Sequence, residues 1–542
     1  MHKFYLALCS SFIALGVCAQ SSAQFDLNNI ECSVSPNGGL FQDDNYWGDF
    51  KIKNAQDKAV LFAGHLWLAG FINDTLRTAV QEYQLYNDPD YSQTDFRFGP
   101  IADDYSSVDY QNTYGKVWKM SKSMIDHHIQ HSQDQGYSPL TEILEWPAHG
   151  DTSNGEAWLL APFADLNGNK VYEPLTGEYP IIRGDQSLYC IFNDEARYNP
   201  RSDINPLGVE VHLELYGFDP TAIVLAENAV FLNYKIINRS NQDIDSLYAG
   251  QWYDSDLGFS FDDICGSDSS LALSYTYNAD SLDEGIFGFG FNPPAVGFSM
   301  LQGSVAGAMY YNNIGNFMGP IETTDPQNQY HWYNYLNNRW QNGNPLRLEN
   351  PSGLYDPANG DGYEPISNNP VTNWAFEDSR NWYCSPLETT DKRQLLNHAM
   401  VKLESGDSLC FDLMINYARD FMDMNPWAAV SKLKFEQQSL ATFWSNQNYR
   451  CQTGPILSLD KTNASLNLKV YPNPVQNVVK LDWKNSTELN YQLLNGQGQV
   501  ILEGQLSSSK QQIELYGLSQ GVYFLLVENA QGLTQSIKLL KA

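Results

Sequence analysis

The chain has 542 residues, more than one ordinary domain holds, and its 32 basic and 63 acidic residues give a net charge of −31. A surface of that sign repels phosphate backbones, which excludes nucleic acid as a partner. Aromatic residues make up 13% of the sequence and charged residues only 18%. A large core can therefore form, intrinsic disorder is excluded, and two or more domains are expected.

The N-terminus has the layout of a secretory signal peptide, which we predict over residues 1–23. Lys3 supplies the positive start, Phe4–Val17 is the apolar stretch, and small residues allow cleavage after Ala19 or Ala23. The apolar stretch is too short to span a bilayer, and no later run of eighteen apolar residues follows it. We therefore predict an exported protein without a transmembrane segment.

Six cysteines remain once the predicted signal peptide is removed. An even number in an exported chain permits up to three disulfide bonds, and the alternative is that several are buried thiols. They form no Cys-x-x-Cys pair, which argues against a zinc site. The six are Cys32, Cys190, Cys265, Cys384, Cys410 and Cys451.

Residues 24–461 are predicted to form a mainly β passenger, sandwich-like, with one or two helices, long loops and room for two subdomains. Val209–Leu215 alternates apolar and polar residues with the period of a strand. Helices are predicted over Met120–Ser132 and Trp427–Trp444. The second helix has one apolar face, formed by Val430, Leu433, Leu440 and Trp444.

Three pairs of apolar segments are separated by short polar turns, and such spacing predicts antiparallel hairpins. The pairs are Val60–Ala63 with Leu66–Ala69, Ala229–Asn238 with Leu247–Tyr253, and Met400–Leu403 with Cys410–Tyr417.

The composition changes near Leu466, because residues 466–542 carry six lysines and only five acidic residues. A neutral tail on so acidic a passenger indicates a separate domain. Seven or so short alternating segments follow one another, separated by Pro472-Asn473-Pro474 and by an Asn495-Gly496 turn. They predict a small Ig-like β-sandwich over residues 466–542.

This tail resembles the type A C-terminal sorting domain of the type IX secretion system of Bacteroidota. The resemblance implies that the secretion machinery is a partner, that the chain crosses the outer membrane, and that the tail is removed with release or attachment of the passenger. The matching residues are Tyr471, Pro472, Asn473 and Pro474, the Asn495-Gly496 turn with Gly498, Leu518 with Gly521, Val522 and Tyr523, and Ile537, Lys538 and Leu539.

The passenger itself resembles an uncharacterised passenger type that occurs with such sorting domains. That resemblance implies architecture and location, but it supplies no activity and no catalytic residue. The matching stretches are Phe62–Trp67, Trp146–Asp151, Gly184–Gln186 with Phe192–Asp194, Trp252–Gly258 and Asn292–Ala295.

Two loops place oxygen-bearing side chains at nearly alternate positions, as calcium loops do. The first departs from the EF-hand pattern at Lys170 and Thr176, so Glu178 or Asp185 would have to supply a carboxylate. The alternative is a pair of Asn-Gly turns with solvated side chains. The candidate Ca²⁺ ligands are Asp165, Asn167, Asn169, the carbonyl of Val171 and Glu173 in the first loop, and Asp356, Asn359 and Asp361 in the second.

An acidic loop follows the strand predicted to end near Tyr253. A carboxylate pair within it could perform glycoside hydrolysis, whereas a cation site or a solvated acidic loop are the simpler interpretations. Its acidic residues are Asp254, Asp256, Asp262, Asp263 and Asp268.

The stretch Tyr330–Tyr335, with Trp340 after it, is rich in aromatic and amide side chains. Flat rings stack on sugars, which makes an extracellular glycan or surface polysaccharide a candidate ligand. The alternative interpretation is that the rings pack a long loop onto the sandwich.

Together these features predict a secreted or cell-surface protein exported by the type IX route. Its passenger would be a binding, adhesive or structural component with Ca²⁺ in a structural role. No P-loop or GxGxxG motif occurs. The alternative is an extracellular hydrolase of polysaccharide or protein that uses a carboxylate pair, for which the sequence assigns no catalytic residue.

Overall fold

The structure is a computed structural model. The residues it describes are 22–83, 94–195, 201–202, 205–221, 223–313, 321–344, 391–423, 425–447, 449, 456–457, 468–483, 489–495, 500–507, 511–529 and 534–541. Almost all of the predicted signal peptide, the second predicted calcium loop and the predicted boundary between passenger and tail lie outside them. The described residues divide into two compact units: a passenger unit (22–165, 170–440 and 449) and a C-terminal unit (166–169, 441–447 and 456–541).

The passenger unit is mainly β, as predicted. Its helices are α1 (Val108–Tyr114), α2 (Lys122–His131), α3 (Thr141–Leu144), α4 (Gln329–Leu336) and α5 (Pro426–Ser445), whose last residues belong to the C-terminal unit. Its strands are β1 (Ala23–Phe25), β2 (Ile30–Val34), β3 (Phe50–Ile52), β4 (Lys58–Leu61), β5 (Ala63–Ile72), β6 (Thr75–Ala79), β7 (Arg97–Phe98), β8 (Trp118–Ser121), β9 (Ala164–Asp165), β10 (Gln186–Asn193), β11 (Val209–Gly217), β12 (Ala229–Asn238), β13 (Ile244–Asp254), β14 (Asp263–Asp268), β15 (Leu273–Asn278), β16 (Leu282–Asp283), β17 (Gly290–Phe291), β18 (Ala295–Gln302), β19 (Val305–Asn312), β20 (Lys392–His398), β21 (Val401–Leu403) and β22 (Ser408–Ala418).

Within the described residues, two large antiparallel sheets build the passenger unit. The first has nine strands in the order β14-β15-β18-β22-β12-β11-β10-β7, with β8 also beside β10. The second has six strands in the order β19-β20-β13-β5-β6, with β21 beside β13. Strands β1 to β4 form a smaller sheet in chain order, and β16 pairs with β17.

The two large sheets share one apolar core, as a β-sandwich requires. The predicted alternation in β11 is confirmed, because Val211 and Leu213 lie in this core beside Leu66 and Leu68 of β5. Their neighbours in β11 face the other way and are also buried, since residues of the segment 98–163 cover that face. The nine-stranded sheet is therefore covered on its outer face as well.

The three predicted hairpins are wrong, because in each case the two strands belong to different sheets. β12 pairs with β11 and β22, whereas β13 pairs with β5, β20 and β21. The same change of sheet separates β4, which pairs with β3, from β5, and β21 from β22. A short polar turn shows only that the chain reverses. Whether the next strand continues the sheet or crosses to the facing one depends on where its apolar residues are buried.

Both predicted helices of the passenger form. α2 starts two residues later than predicted, because Met120 and Ser121 end β8 and the Ser121 hydroxyl accepts the N–H of Met124 at the start of the helix. In α5 the four residues of the predicted apolar face are all buried. No helix of the described chain is long and apolar enough to cross a membrane.

The C-terminal unit contains the seven strands that the sequence predicts in the tail. They form two antiparallel sheets, β24-β25-β28 and β27-β26-β29-β30, around a core that includes Leu481, Leu493, Leu525 and Leu539. The strands of the unit are β23 (Ile456–Leu457), β24 (Lys469–Tyr471), β25 (Val478–Asp482), β26 (Leu489–Asn495), β27 (Val500–Leu506), β28 (Gln512–Glu514), β29 (Gly521–Asn529) and β30 (Thr534–Lys541).

The cysteines of the described chain are of two kinds. Cys32, Cys190 and Cys265 are buried free thiols, which confirms the buried-thiol interpretation for these three. Cys410 is disulfide-bonded. Cys384 and Cys451 lie outside the described residues.

Asp49 gives the fold a testable dependence on pH. Burial raises the pKa of Asp49 to about 6, although hydrogen bonds from Ser33 act to lower it. Oδ1 of Asp49 accepts the N–H of Ser33 at 3.1 Å, and within the described chain its Oδ2 has no hydrogen-bond partner. A carboxyl group with a higher pKa in the folded than in the unfolded state binds more protons when folded. Its contribution to stability therefore falls as the pH rises from about 4 to about 6.

We expect Asp49→Asn to remove this dependence. Relative to the original chain, the variant should gain up to ~3 kcal/mol of unfolding free energy between pH 4 and pH 7. Urea denaturation at pH 4, 5, 6 and 7 measures the difference, and Asp44→Asn, at an exposed position of the same segment, is the control. A difference between Asp49→Asn and the original chain that stays constant across this pH range would contradict the interpretation.

Candidate cation site

Three carboxylates meet where β13 ends and β20 begins. Asp254 is the last residue of β13, Asp256 follows two residues later, and Asp391 immediately precedes β20. One carboxylate oxygen of each residue lies within 4.8 Å of the other two. Asp254 is only 2% exposed, and Asp256 and Asp391 are partly buried. We call these three residues the acidic centre.

The pairing of β13 with β20 supplies the nearest positive charge. It sets Asp254 opposite Arg393, whose Nη2 lies 3.2 Å from Asp254 Oδ2 and whose Nη1 lies 2.5 Å from Asp391 Oδ1. Tyr83 donates its hydroxyl to Asp254 Oδ2 at 2.7 Å and accepts from Arg393 Nε at 2.7 Å. The Asn313 amide donates to Asp391 Oδ2 at 2.8 Å. The acidic centre is thus held in place by strand pairing and by side-chain donors.

The charges of the acidic centre do not balance. Burial raises the pKa of Asp254 well above its usual value, and burial together with the charge of Asp391 raises the pKa of Asp256 to about 6. Arg393 acts in the opposite direction on both pKa values. Within the described chain, Asp254 Oδ1 is enclosed and has no hydrogen-bond partner. One guanidinium therefore faces three carboxylates in a poorly solvated place.

The other acidic residues of the same loop have different roles. Asp263 Oδ2 accepts the N–H of Leu257 at 2.9 Å, and Asp268 forms an ion pair with Lys434 at 2.8 Å. Burial raises the pKa of Asp262 to about 7. Of the five acidic residues that the sequence indicates, two therefore enter the acidic centre, and the loop is not simply solvated.

Sequence reasoning missed Asp391 and Arg393. Both lie far along the chain from Asp254, and only the register of β13 against β20 brings them together. The stretch Asp391-Lys392-Arg393 at the start of a strand was a weak signal, because short charged runs are commonly solvated. No periodicity of the sequence connects it with the acidic loop.

The first predicted calcium loop is turned but largely exposed. Asp165 is buried, and its Oδ2 accepts the N–H of Lys170 at 2.8 Å. Asn167 Oδ1 accepts the N–H of Asn169 at 2.9 Å, the short-range bond of an Asx turn. Asn167, Asn169 and Val171 are exposed. Calcium binding here stays a prediction.

The carboxylates expected to complete that loop have backbone partners. Glu178 is buried and its Oε2 accepts the N–H of Glu173 at 2.8 Å. Asp185 Oδ2 accepts the N–H of Asp219 at 2.9 Å. The candidate ligands of the second loop, Asp356, Asn359 and Asp361, lie outside the described residues.

The aromatic stretch Tyr330–Tyr335 forms most of α4, which the sequence did not predict as a helix. Asn328 caps the helix by accepting the N–H groups of Tyr330 and His331. Trp332 and Tyr335 are buried, and Tyr335 stacks on Tyr311 with ring centroids 5.1 Å apart. Most of this stretch therefore packs onto the sandwich, while Tyr330 remains 61% exposed.

Two other groups of buried charges in the described passenger unit include an oppositely charged partner. The Arg183 guanidinium forms ion pairs with Asp412 and, at 3.6 Å, with Glu214. Burial acts to raise the pKa of Glu210, but His212 and Arg239 outweigh it and lower that pKa to about 2. Glu210 thus has Arg239 as its cation and two carboxylates share Arg183, whereas three carboxylates share Arg393 in the acidic centre.

Removal of the Arg393 charge tests how far it holds the acidic centre together. In the presence of a chelator, Arg393→Met should lower the free energy of unfolding by about 3–5 kcal/mol, because it leaves buried carboxylates without their cation. The control is Lys402→Met, since Lys402 pairs with Asp243 and Asp245 on the surface and its loss should cost at most about 1 kcal/mol. Equal losses for the two variants in urea denaturation would disprove the role of Arg393.

The residues of the predicted sorting motif fasten the first turn of the C-terminal unit to its last strand. After Tyr471 ends β24, Asn473 donates its amide to the carbonyl of Lys538 at 2.7 Å and accepts the N–H of Leu540 at 2.8 Å. Pro472 and Pro474 flank Asn473, Gly521 begins β29, and Tyr523 lies in the core. The motif residues thus have clear structural positions.

Comparison with known proteins gives a match for this unit alone. A family model described as a secretion system C-terminal sorting domain matches residues 469–542. No curated protein sequence matches the chain significantly. Among solved structures, a polysaccharide lyase is similar at 8% identity and a TM-score of 0.21, covering 71% of this chain. The chain spans 40% of the lyase, and so weak a similarity carries no conclusion about fold or substrate.

The predicted strands, the positions of the motif residues and the family match agree for the tail. Residues 469–542 are therefore a type IX secretion system C-terminal sorting domain, and the chain is a sorting-domain protein destined for the cell surface or for secretion.

Proposed function

We propose that the passenger is a binding or structural component of the cell surface rather than a hydrolase. The observation that carries the proposal is that the acidic residues closest to a catalytic pattern are enclosed in the sandwich. Asp254 and Asp263 are each 2% exposed. A glycoside hydrolase needs two carboxylates that flank a bond of the substrate in an open cleft. Carboxylates enclosed to this degree are out of reach of a polymer.

A cavity found in the passenger unit also lies apart from the acidic centre. Its volume is about 270 Å³, and its lining includes Asp268, Leu273, Val305 and Leu396. Asp268 is the one acidic residue of this lining, and it forms an ion pair with Lys434. The described lining therefore contains no pair of carboxylates. This geometry favours a binding surface over a catalytic cleft.

The export route completes the proposal. The chain would enter the periplasm by means of the signal peptide, cross the outer membrane through the type IX machinery and lose its sorting domain. The mature passenger would then be released or attached at the cell surface, where an extracellular glycan or surface polysaccharide is its candidate ligand.

A structural calcium ion in the first loop is part of the same proposal. Support comes from the buried Asp165 at its start and from a backbone already turned at Gly168 and Lys170, with φ values of 78° and 62°. Asn167, Asn169, the Val171 carbonyl and Glu173 would complete the ligand set, with water in the remaining positions.

Export can be tested with the full chain in a Bacteroidota host that has a working type IX system. The passenger should reach the surface or the medium, and deletion of residues 469–542 should retain it in the periplasm. Asn473→Ala should weaken export, because it removes both bonds to β30. Gln512→Ala, at an exposed position of β28, is the control. Surface delivery of the deletion variant would contradict the assignment of the tail.

The role of the passenger can be tested with a panel of soluble and insoluble polysaccharides. We expect one or more of them to retain the mature protein in pull-down without any release of new reducing ends or unsaturated products. Release of products by the original chain and its loss in Asp254→Asn would establish the hydrolase alternative instead. Binding to no member of the panel would leave the structural role as the remaining form of the proposal.

A further inference from the structure

We propose that the acidic centre, formed by Asp254, Asp256 and Asp391, is a Ca²⁺ site. It is separate from the loop at Asp165 and does not depend on what the passenger binds. The starting observation is geometric, since one carboxylate oxygen from each of the three residues lies within 4.8 Å of the other two. Oxygens at such separations can all contact one cation at the 2.3–2.6 Å typical of Ca²⁺.

An unpartnered buried oxygen gives the second, independent observation. Asp254 is 2% exposed, and although its Oδ2 receives Tyr83 and Arg393, no donor of the described chain reaches its Oδ1. A buried carboxylate oxygen without a partner costs the full loss of its hydration, which is why such atoms are rare in native proteins. A bound cation removes that cost.

Asp256 points to the same conclusion. Its carboxylate is partly buried, and no hydrogen-bond donor of the described chain reaches it. Three carboxylates against one guanidinium leave an excess of two negative charges. A divalent cation neutralises that excess.

The ligand atoms decide the class of metal. All three are carboxylate oxygens, and the acidic centre includes neither histidine nor cysteine. Such a set suits a hard cation and not zinc or copper. Ca²⁺ is preferred over Mg²⁺, because ligands fixed by two strand ends and a loop need not meet the strict octahedral geometry that Mg²⁺ demands.

The site would join two parts of the chain that only tertiary structure brings together. Asp254 and Asp256 lie at the exit from β13, and Asp391 lies at the entry to β20. The ion would therefore fix the end of a strand pair that already carries Arg393 and Tyr83. Its effect is to stabilise the folded passenger, since Ca²⁺ binds the native state and not the unfolded chain.

Asp256→Asn is the decisive variant, because it removes a ligand without removing a hydrogen bond of the described chain. In chelator its melting temperature should equal or exceed that of the original chain, since one of three repelling carboxylates is neutralised. In millimolar Ca²⁺ its gain in melting temperature should be smaller, and calorimetry should show the loss of one Ca²⁺ site per chain. Asp262→Asn neutralises a nearby half-buried acid outside the acidic centre and should keep the full gain.

Asp165→Asn, measured in parallel, reports separately on the loop, so that failure at one position is distinguishable from failure at the other.

Terbium supplies a readout that does not depend on stability. The Tyr83 hydroxyl lies 2.7 Å from Asp254 Oδ2, and the Tyr83 ring lies 5.2 Å from that of Trp252. Tb³⁺ in the acidic centre should therefore emit when these aromatic residues are excited, and Asp256→Asn should abolish that part of the emission.

Three results would overturn the proposal. The first is an Asp256→Asn variant with the same Ca²⁺-dependent gain and the same terbium emission as the original chain. The second is a variant that loses stability equally in chelator and in Ca²⁺, which would make Asp256 a packing residue. A gain that Asp262→Asn reduces as much as Asp256→Asn does would also overturn it, because general relief of negative charge would then explain the effect.

Discussion

The central strands of the nine-stranded sheet are buried on both faces, and this constraint governs most of the chemistry of the passenger. One face lies in the core of the sandwich, and the segment 98–163 covers much of the other. Polar side chains on the covered face lose their water and must find partners within the protein. Glu210 meets His212 and Arg239, and Glu214 meets Arg183. Part of the acidity of the passenger is therefore internal, and some of it is paired with buried cations.

The same constraint gives the acidic centre its significance. Arg183 stands between two carboxylates, which leaves an excess of one negative charge, whereas Arg393 faces three carboxylates, which leaves an excess of two. Natural proteins rarely leave such an excess in a place that water reaches poorly. Bound protons or a bound metal ion would neutralise the excess negative charge of such a centre, and an extracellular medium supplies calcium.

The C-terminal unit differs from the passenger in its charge and in its core. It is nearly neutral, its strands are short, and aliphatic residues such as Leu493 and Leu525 form most of its core. The residues that identify it lie at its turns, where Asn473 joins the first turn to the last strand. The secretion machinery recognises the sorting domain, so the surface of this domain need not depend on the passenger to which it is attached. The contrast in charge between the two parts of the chain fits that separation of roles.

Local pattern in the sequence determined much of this protein. The period of two in Val209–Leu215, the apolar face of α5 and the turn residues of the tail each predicted their element, because the backbone geometry of a strand, a helix or a turn acts over a few residues. The motif residues from Tyr471 to Lys538 likewise identified the sorting domain.

Only the tertiary structure decided which strands pair. Ala229–Asn238 and Leu247–Tyr253 look like a hairpin, yet they lie in opposite sheets, since long-range burial decides which sheet a strand joins. The acidic centre depends on the same kind of information. The sequence indicated Asp254 and Asp256, but Asp391 and Arg393 reach them only through the register of β13 with β20, which no local pattern encodes.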